Sequence, residues 1–140
     1  MTTEIKAIIK STAPVLKEHG EAITTAMYKN LFSKHPEAQE LFKDSEPDQY
    51  KKLAAAVYAY ADNIDNLDAL SKGIATIVAA HVKTHVQPMH YPWVAEALLA
   101  AIREVLGDAA TEEVINAWTE AFMFLAGVLM AKEQEAYAQA

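Results

Sequence analysis

LSKGIATIVAAHVKTHVQP, residues 70–88, sets Leu70, Ile74, Ile77, Val78 and His81 at the spacing of one helical face, because residues three, four and seven apart stack along a helix. The imidazole therefore ends an apolar stripe and points toward a core. Such an imidazole hydrogen-bonds, ligates a metal or carries a proton, and the spacing by itself leaves all three open. His85 follows on roughly the same face, with His90 just beyond. A His-x-x-x-His pair on a helix can chelate zinc, but the chain supplies no cysteine and no HExxH arrangement for the remaining ligands.

On either side the chain reads as helix nearly throughout. Alanine is abundant, glycine (4) and proline (5) are few, and no run alternates apolar and polar residues over a strand's length. A first helix is predicted over 3–18, with Ile5, Ile8, Ile9, Val15 and Leu16 on one face, bent at Pro14 and ended by His19 and Gly20. A second carries Ile23, Met27, Leu31 and Phe32 to Lys34, and a short third runs from His35 and Pro36 to Phe42. Ser45, Glu46, Pro47 and Asp48 read as the next start signal, with Ser45 as cap. The helix they open shows Leu53, Val57, Tyr60 and Ile64, and DNIDN (62–66) breaks it. The His81 helix begins near Leu67 and ends before Gln87 and Pro88. Tyr91 and Pro92 open a helix through Val94, Leu98, Leu99, Ile102 and Leu106 that Gly107 closes. A last helix runs from about Thr111 almost to the C-terminus, and no second domain is expected to follow it.

With 140 residues the chain is long enough for one sizeable core and too short for two, so residues 1–140 are expected to form one all-α domain. No uninterrupted apolar run approaches the ~18 residues of a membrane span. The N-terminal MTTEIKAIIK lacks the apolar block of a secretory signal. The absence of cysteine excludes disulfides and thiolate metal sites, and a cytoplasmic location is expected. The formal charge of −7, with scattered lysines, argues against a nucleic-acid partner.

Three further polar residues stand out. Gln49 extends the stripe of Leu53, Val57 and Tyr60 by one polar position, where an amide either faces solvent or donates into an apolar pocket. Tyr28 lies one turn before Leu31 and Phe32, so its ring is expected to be buried and its hydroxyl to need a partner. Glu133 continues the stripe Trp118, Phe122, Leu125 and Leu129 of the last helix. There a carboxylate is either solvated at a fraying end or paired, because burying it alone is costly.

PVLKEHG (14–20), YKNLFSKHPE (28–37), DNIDNLDAL (62–70), HYPWV (90–94), AIREVLGDAAT (101–111) and AYAQA (136–140), in that order around His81, resemble the single-domain bacterial haemoglobins and the globin domain of flavohaemoglobins. The resemblance covers essentially the whole chain. It implies an all-α globin fold, a three-over-three helical sandwich enclosing one haem b, an iron protoporphyrin IX. By the same resemblance His81 matches the proximal iron ligand and Phe42 the phenylalanine packed on the porphyrin. Tyr28 matches the distal tyrosine that hydrogen-bonds bound oxygen, Gln49 the distal glutamine and Leu53 the apolar residue over the iron. Tyr91 and Glu133 match a proximal pair associated with the His81 imidazole.

The function so implied is reversible binding of O2, and of NO and CO, for oxygen binding or delivery. The alternative is NO dioxygenation to nitrate with electrons from a separate flavin reductase, and a haem-based gas sensor is a third class. The protein is expected to be a monomer or a homodimer. Three features depart from the family pattern. The turn between Phe42 and Gln49 is shorter than usual, which puts the placement of Gln49 in question. Phe122 and Met123 stand where Tyr-Gly is common, so a core hydroxyl is lost and a bulky side chain is expected to enter. His85 stands where glycine is common, and the sequence offers no account of it.

Overall fold

The computed structural model describes residues 1–139; Ala140, the last residue of the AYAQA stretch, lies outside the described residues. Thr2 caps α1 (Thr3–Ser11), its hydroxyl accepting the Ile5 N–H at 3.1 Å and satisfying one of the donors that a helix N-terminus leaves free. The first helix is shorter than the predicted 3–18. At Thr12 the hydroxyl donates to the Ile9 carbonyl (2.6 Å) and accepts the Trp118 indole N–H (3.2 Å), and α2 (Ala13–Lys34) starts beyond it. Pro14 therefore occupies the first turn of α2, where its missing N–H has no helical acceptor to lose, and bends no helix interior.

Nor do His19 and Gly20 end a helix, because α2 runs through both. Gly20 serves packing instead. A Cβ there would lie 3.4 Å from the Ala54 Cβ, an ordinary contact, so α2 passes α3 (Gln49–Asp62) with room for a methyl group and little more. Between them lies a 3₁₀ helix, Pro36–Phe42. Ser45 does not cap α3. Its own N–H closes a turn on the Phe42 carbonyl (3.0 Å), and α3 begins at Gln49, behind Asp48, without a side-chain cap. A second 3₁₀ turn, Leu67–Leu70, leads into α4 (Ser71–Lys83). Next, α5 (His90–Leu106) opens just before Tyr91 and stops at Gly107, whose φ of +54° suits a residue without a side chain. The last helix, α6, spans Glu112–Gln139.

The helices stack in two layers, α1, α3 and α4 against α2, α5 and α6, with the tightest packing of α2 on α3 and α5. The main core gathers Ile9, Ile23, Leu31, Ile64, Ile102 and Trp118. A smaller cluster of Tyr91, Ala126 and Leu129 lies under α4, touched by Ile74, Ile77 and Val78. Even so, none of the residues of α4 is fully buried. Among the described residues α6 is the one helix long and apolar enough, by length and composition, to cross a membrane. Here it packs against α1, α4 and α5 and buries the carboxylate of Glu133.

Candidate functional site

His81 lies in the last turn of α4, and α6 meets it with Glu133. The carboxylate is 2 % exposed, and it is paired, not solvated at a fraying helix end. Its Oε2 lies 2.8 Å from His81 Nδ1 and its Oε1 accepts the Tyr91 hydroxyl at 2.6 Å, with that hydroxyl 3.1 Å from the same Nδ1. Both carboxylate oxygens therefore face donors. Burial, and then the hydrogen bond to and charge of Glu133, push the Tyr91 hydroxyl far above its ordinary range, so it stays a proton donor. A carboxylate accepts only, which puts the imidazole proton on Nδ1 and leaves the Nε2 lone pair free. Among the described residues Nε2 has no hydrogen-bond partner. Such an Nδ1–H···carboxylate arrangement raises the basicity of the other ring nitrogen and fixes the ring orientation.

The backbone beyond His81 explains His85. Its φ is +65°, the left-handed conformation that glycine adopts without strain and other residues do not. The His85 N–H reaches the Val82 carbonyl (3.2 Å) and the Val86 N–H reaches the His81 carbonyl (2.9 Å). This pair of bonds is the Schellman closure, in which the residue just past the helix cap is left-handed. His85 is thus exposed in a turn and no longer on the face of His81. No group of three or more His, Cys, Asp or Glu able to hold a metal occurs among the described residues, and the zinc alternative has no ligand set.

A second group of predicted residues meets across α2 and α3. The Tyr28 ring stacks on Phe32 (centroids 5.8 Å) and meets Phe42 edge-on (5.2 Å), while Phe32 and Phe42 close the triangle at 5.6 Å. Burial raises the Tyr28 hydroxyl above its ordinary pKa, and the neighbouring Gln49 side chain partly opposes this. The short turn therefore does deliver Gln49 to Tyr28. Leu53 follows one turn later on α3, half-buried against the main core. The α2 face that carries Tyr28 also carries Gly20 against Ala54, and Thr24, whose hydroxyl donates to the Tyr50 carbonyl at 2.8 Å.

Two residues of these contacts were not singled out from sequence. Thr24 gave no signal beyond its helical phase with Tyr28. Tyr137 lies one turn past Glu133, and that spacing could have found it. Its hydroxyl donates to the Val86 carbonyl at 2.7 Å, with the His81 carbonyl 3.4 Å away. Met123 corrects an expectation: it is 46 % exposed, so its bulk faces outward and does not enter the core, whereas Phe122 packs against both clusters.

Comparison with known proteins bears on this geometry. The family model described as Globin matches residues 25–129. An uncharacterized globin-like protein of Aquifex aeolicus is 50 % identical over 139 residues, with 99 % of each chain covered. A flavohemoprotein of Halalkalibacterium halodurans is 43 % identical; the match takes in all of this chain but 35 % of that protein, so the chain spans about a third of such relatives. Among solved structures, an engineered carbene transferase from Rhodothermus marinus, described as a nitric oxide dioxygenase, superposes with a TM-score of 0.95 at 42 % identity, covering 99 % of this chain and 96 % of that one. A bacterial globin of Campylobacter jejuni superposes with a TM-score of 0.89 at 33 % identity, covering 98 % and 99 %.

Proposed function

The chain belongs to the globin family, and from that premise we propose that it holds one haem b through His81 Nε2 and binds O2 reversibly, with NO and CO as further ligands. The observation that carries this reading is the pair of bonds on His81: Nδ1 is spoken for by a buried carboxylate at 2.8 Å, which leaves Nε2 as a neutral, basic nitrogen donor. That donor set fits haem iron, which takes a neutral imidazole whose other N–H has an acceptor. Haem iron supplies the chemistry of reversible diatomic binding. Phe42 offers an aromatic face for the porphyrin, and Leu53 keeps the ligand side apolar. Tyr28 supplies the polar contact there, its hydroxyl beside the Gln49 side chain and free to donate.

A second reading is NO dioxygenation, in which NO, O2 and one electron give nitrate. Two observations favour it. The Rhodothermus marinus structure so described shares 42 % identity with this chain, and flavohemoproteins are among its relatives. The buried Glu133 charge on His81 also makes a strong electron donor on the proximal side, which favours oxidative chemistry. The electron would come from a separate flavin reductase. The test is a stopped-flow mix of the oxygenated, haem-loaded protein with NO, with and without a reductase. Stoichiometric nitrate and renewed turnover only with the reductase identify the dioxygenase. Reversible O2 uptake with no renewed turnover when the reductase is present identifies the carrier. Retention of the same haem spectrum by His81→Ala rejects both.

A further inference from the structure

We infer that Tyr137 is a positioning residue for His81, holding the turn after α4 so that the imidazole keeps its contact with Glu133. The proposal rests on His81 as the haem ligand. It starts from the way α4 is attached. The apolar contacts of α4 with the cluster of Tyr91, Ala126 and Leu129 come from Ile74, Ile77 and Val78, a turn or more before His81, so they do not by themselves hold the end of the helix. Its C-terminal end also carries His85 at φ +65°, and a strained backbone of that kind persists only where the surroundings over-determine it.

Tyr137 supplies that constraint. Its hydroxyl donates to the Val86 carbonyl at 2.7 Å beside the His81 carbonyl at 3.4 Å, and the Val86 N–H binds that same His81 carbonyl at 2.9 Å. Glu133 and Tyr137 are four residues apart on α6, hence on one face. That face grips His81 twice, at the ring through Glu133 and at the main chain through Tyr137. Without the hydroxyl, the left-handed turn is free to relax, and the rigid helix carries the imidazole with it. The 2.8 Å contact between Nδ1 and Glu133 Oε2 then lengthens.

The experiment compares wild type, Tyr137→Phe and the double variant Tyr137→Phe/His85→Gly in the haem-loaded full chain. Resonance Raman of the reduced form reads the Fe–His band, and NMR of the diamagnetic CO form reads the His81 Nδ1–H proton. Tyr137→Phe is expected to lower and broaden the band, in the direction that Glu133→Gln moves it but by less, and to shift the Nδ1–H resonance upfield. The double variant should move both back toward wild type, because glycine removes the strain that drives the relaxation. If Tyr137→Phe lowers stability while both signals stay in place, Tyr137 is a packing residue and the proposal fails. It fails equally if the double variant stays where Tyr137→Phe lies. His81→Ala separates the underlying reading: if it keeps the haem spectrum, His81 is not the ligand. The Nδ1–H proton of the His81 chains still reports, in that case, whether Tyr137 holds the contact.

Discussion

Replacing Glu133 by glutamine keeps the volume of a side chain that is 2 % exposed and removes its charge. In the wild type the carboxylate accepts two donors, His81 Nδ1–H at 2.8 Å and the Tyr91 hydroxyl at 2.6 Å. An amide offers one acceptor oxygen and turns the other atom into a donor that faces a donor. One charge-assisted bond is lost, worth about 2 kcal/mol, and relief from burying a charge offsets part of it. In a domain of this size roughly 3–4 °C of melting temperature accompanies each kcal/mol, so Tm should fall by about 4–7 °C. The functional readout is separate. A weaker acceptor on Nδ1 leaves Nε2 a poorer donor, so the Fe–His stretch of the reduced form should fall and the potential should rise, because ferric iron loses more. Tyr91→Phe supplies the opposing arm. It frees Oε1 and concentrates the carboxylate charge on the imidazole, so the band should rise while stability falls. Thermal unfolding and resonance Raman decide both. An unshifted Fe–His band in Glu133→Gln would refute the reasoning, because the buried pair would then be structural and the iron indifferent to it.

His81→Ala should lose the specific haem complex, whereas His85→Gly should keep it and stabilise the fold by about 0.5–1 kcal/mol, the left-handed penalty less the entropy that glycine adds to the unfolded chain; haem titration and urea unfolding check the pair. Tyr28→Phe should speed O2 dissociation roughly thirtyfold, the equivalent of a ~2 kcal/mol hydrogen bond. Gln49→Leu should do less, and the double variant should be less than additive, because the amide acts through the tyrosine; flash photolysis gives the rates. Tyr60→Phe should cost about 1–3 kcal/mol by leaving the Ala121 carbonyl, now bound at 2.6 Å, without its buried donor, and denaturant unfolding measures it.

Apolar spacing located the six long helices and the faces they bury, because period and burial are local properties of a sequence. Punctuation was less legible. Gly20 read as a helix end, since glycine is a poor helix residue, but its role is fixed by Ala54 on another helix. Pro14 read as a bend because nothing local revealed that Thr12, held by Trp118 from the last helix, breaks the chain just before it. The imidazole of His81 was visible as a core residue, yet spacing alone could not choose among hydrogen bond, metal and proton. Glu133 was evenly balanced between solvent and core until α6 was seen to cross under α4. His85 had no sequence account because its reason is a backbone angle.

The contact of α2 with α3 works as a ruler. Gly20 meets Ala54, Thr24 holds the Tyr50 carbonyl and Tyr28 receives Gln49, at successive turns of α2. The gap between Tyr28 and the helix of Leu53 is thus set in part by a contact two turns away that leaves room for little more than a methyl group. A methyl at position 20 would sit at ordinary contact distance from Ala54, 3.4 Å, but a branched side chain would act as a wedge, tipping α3 outward with the Thr24 bond as fulcrum. Selection for a larger or smaller guest could act on a residue that never meets it, and leave every side chain of the proposed gas site unchanged.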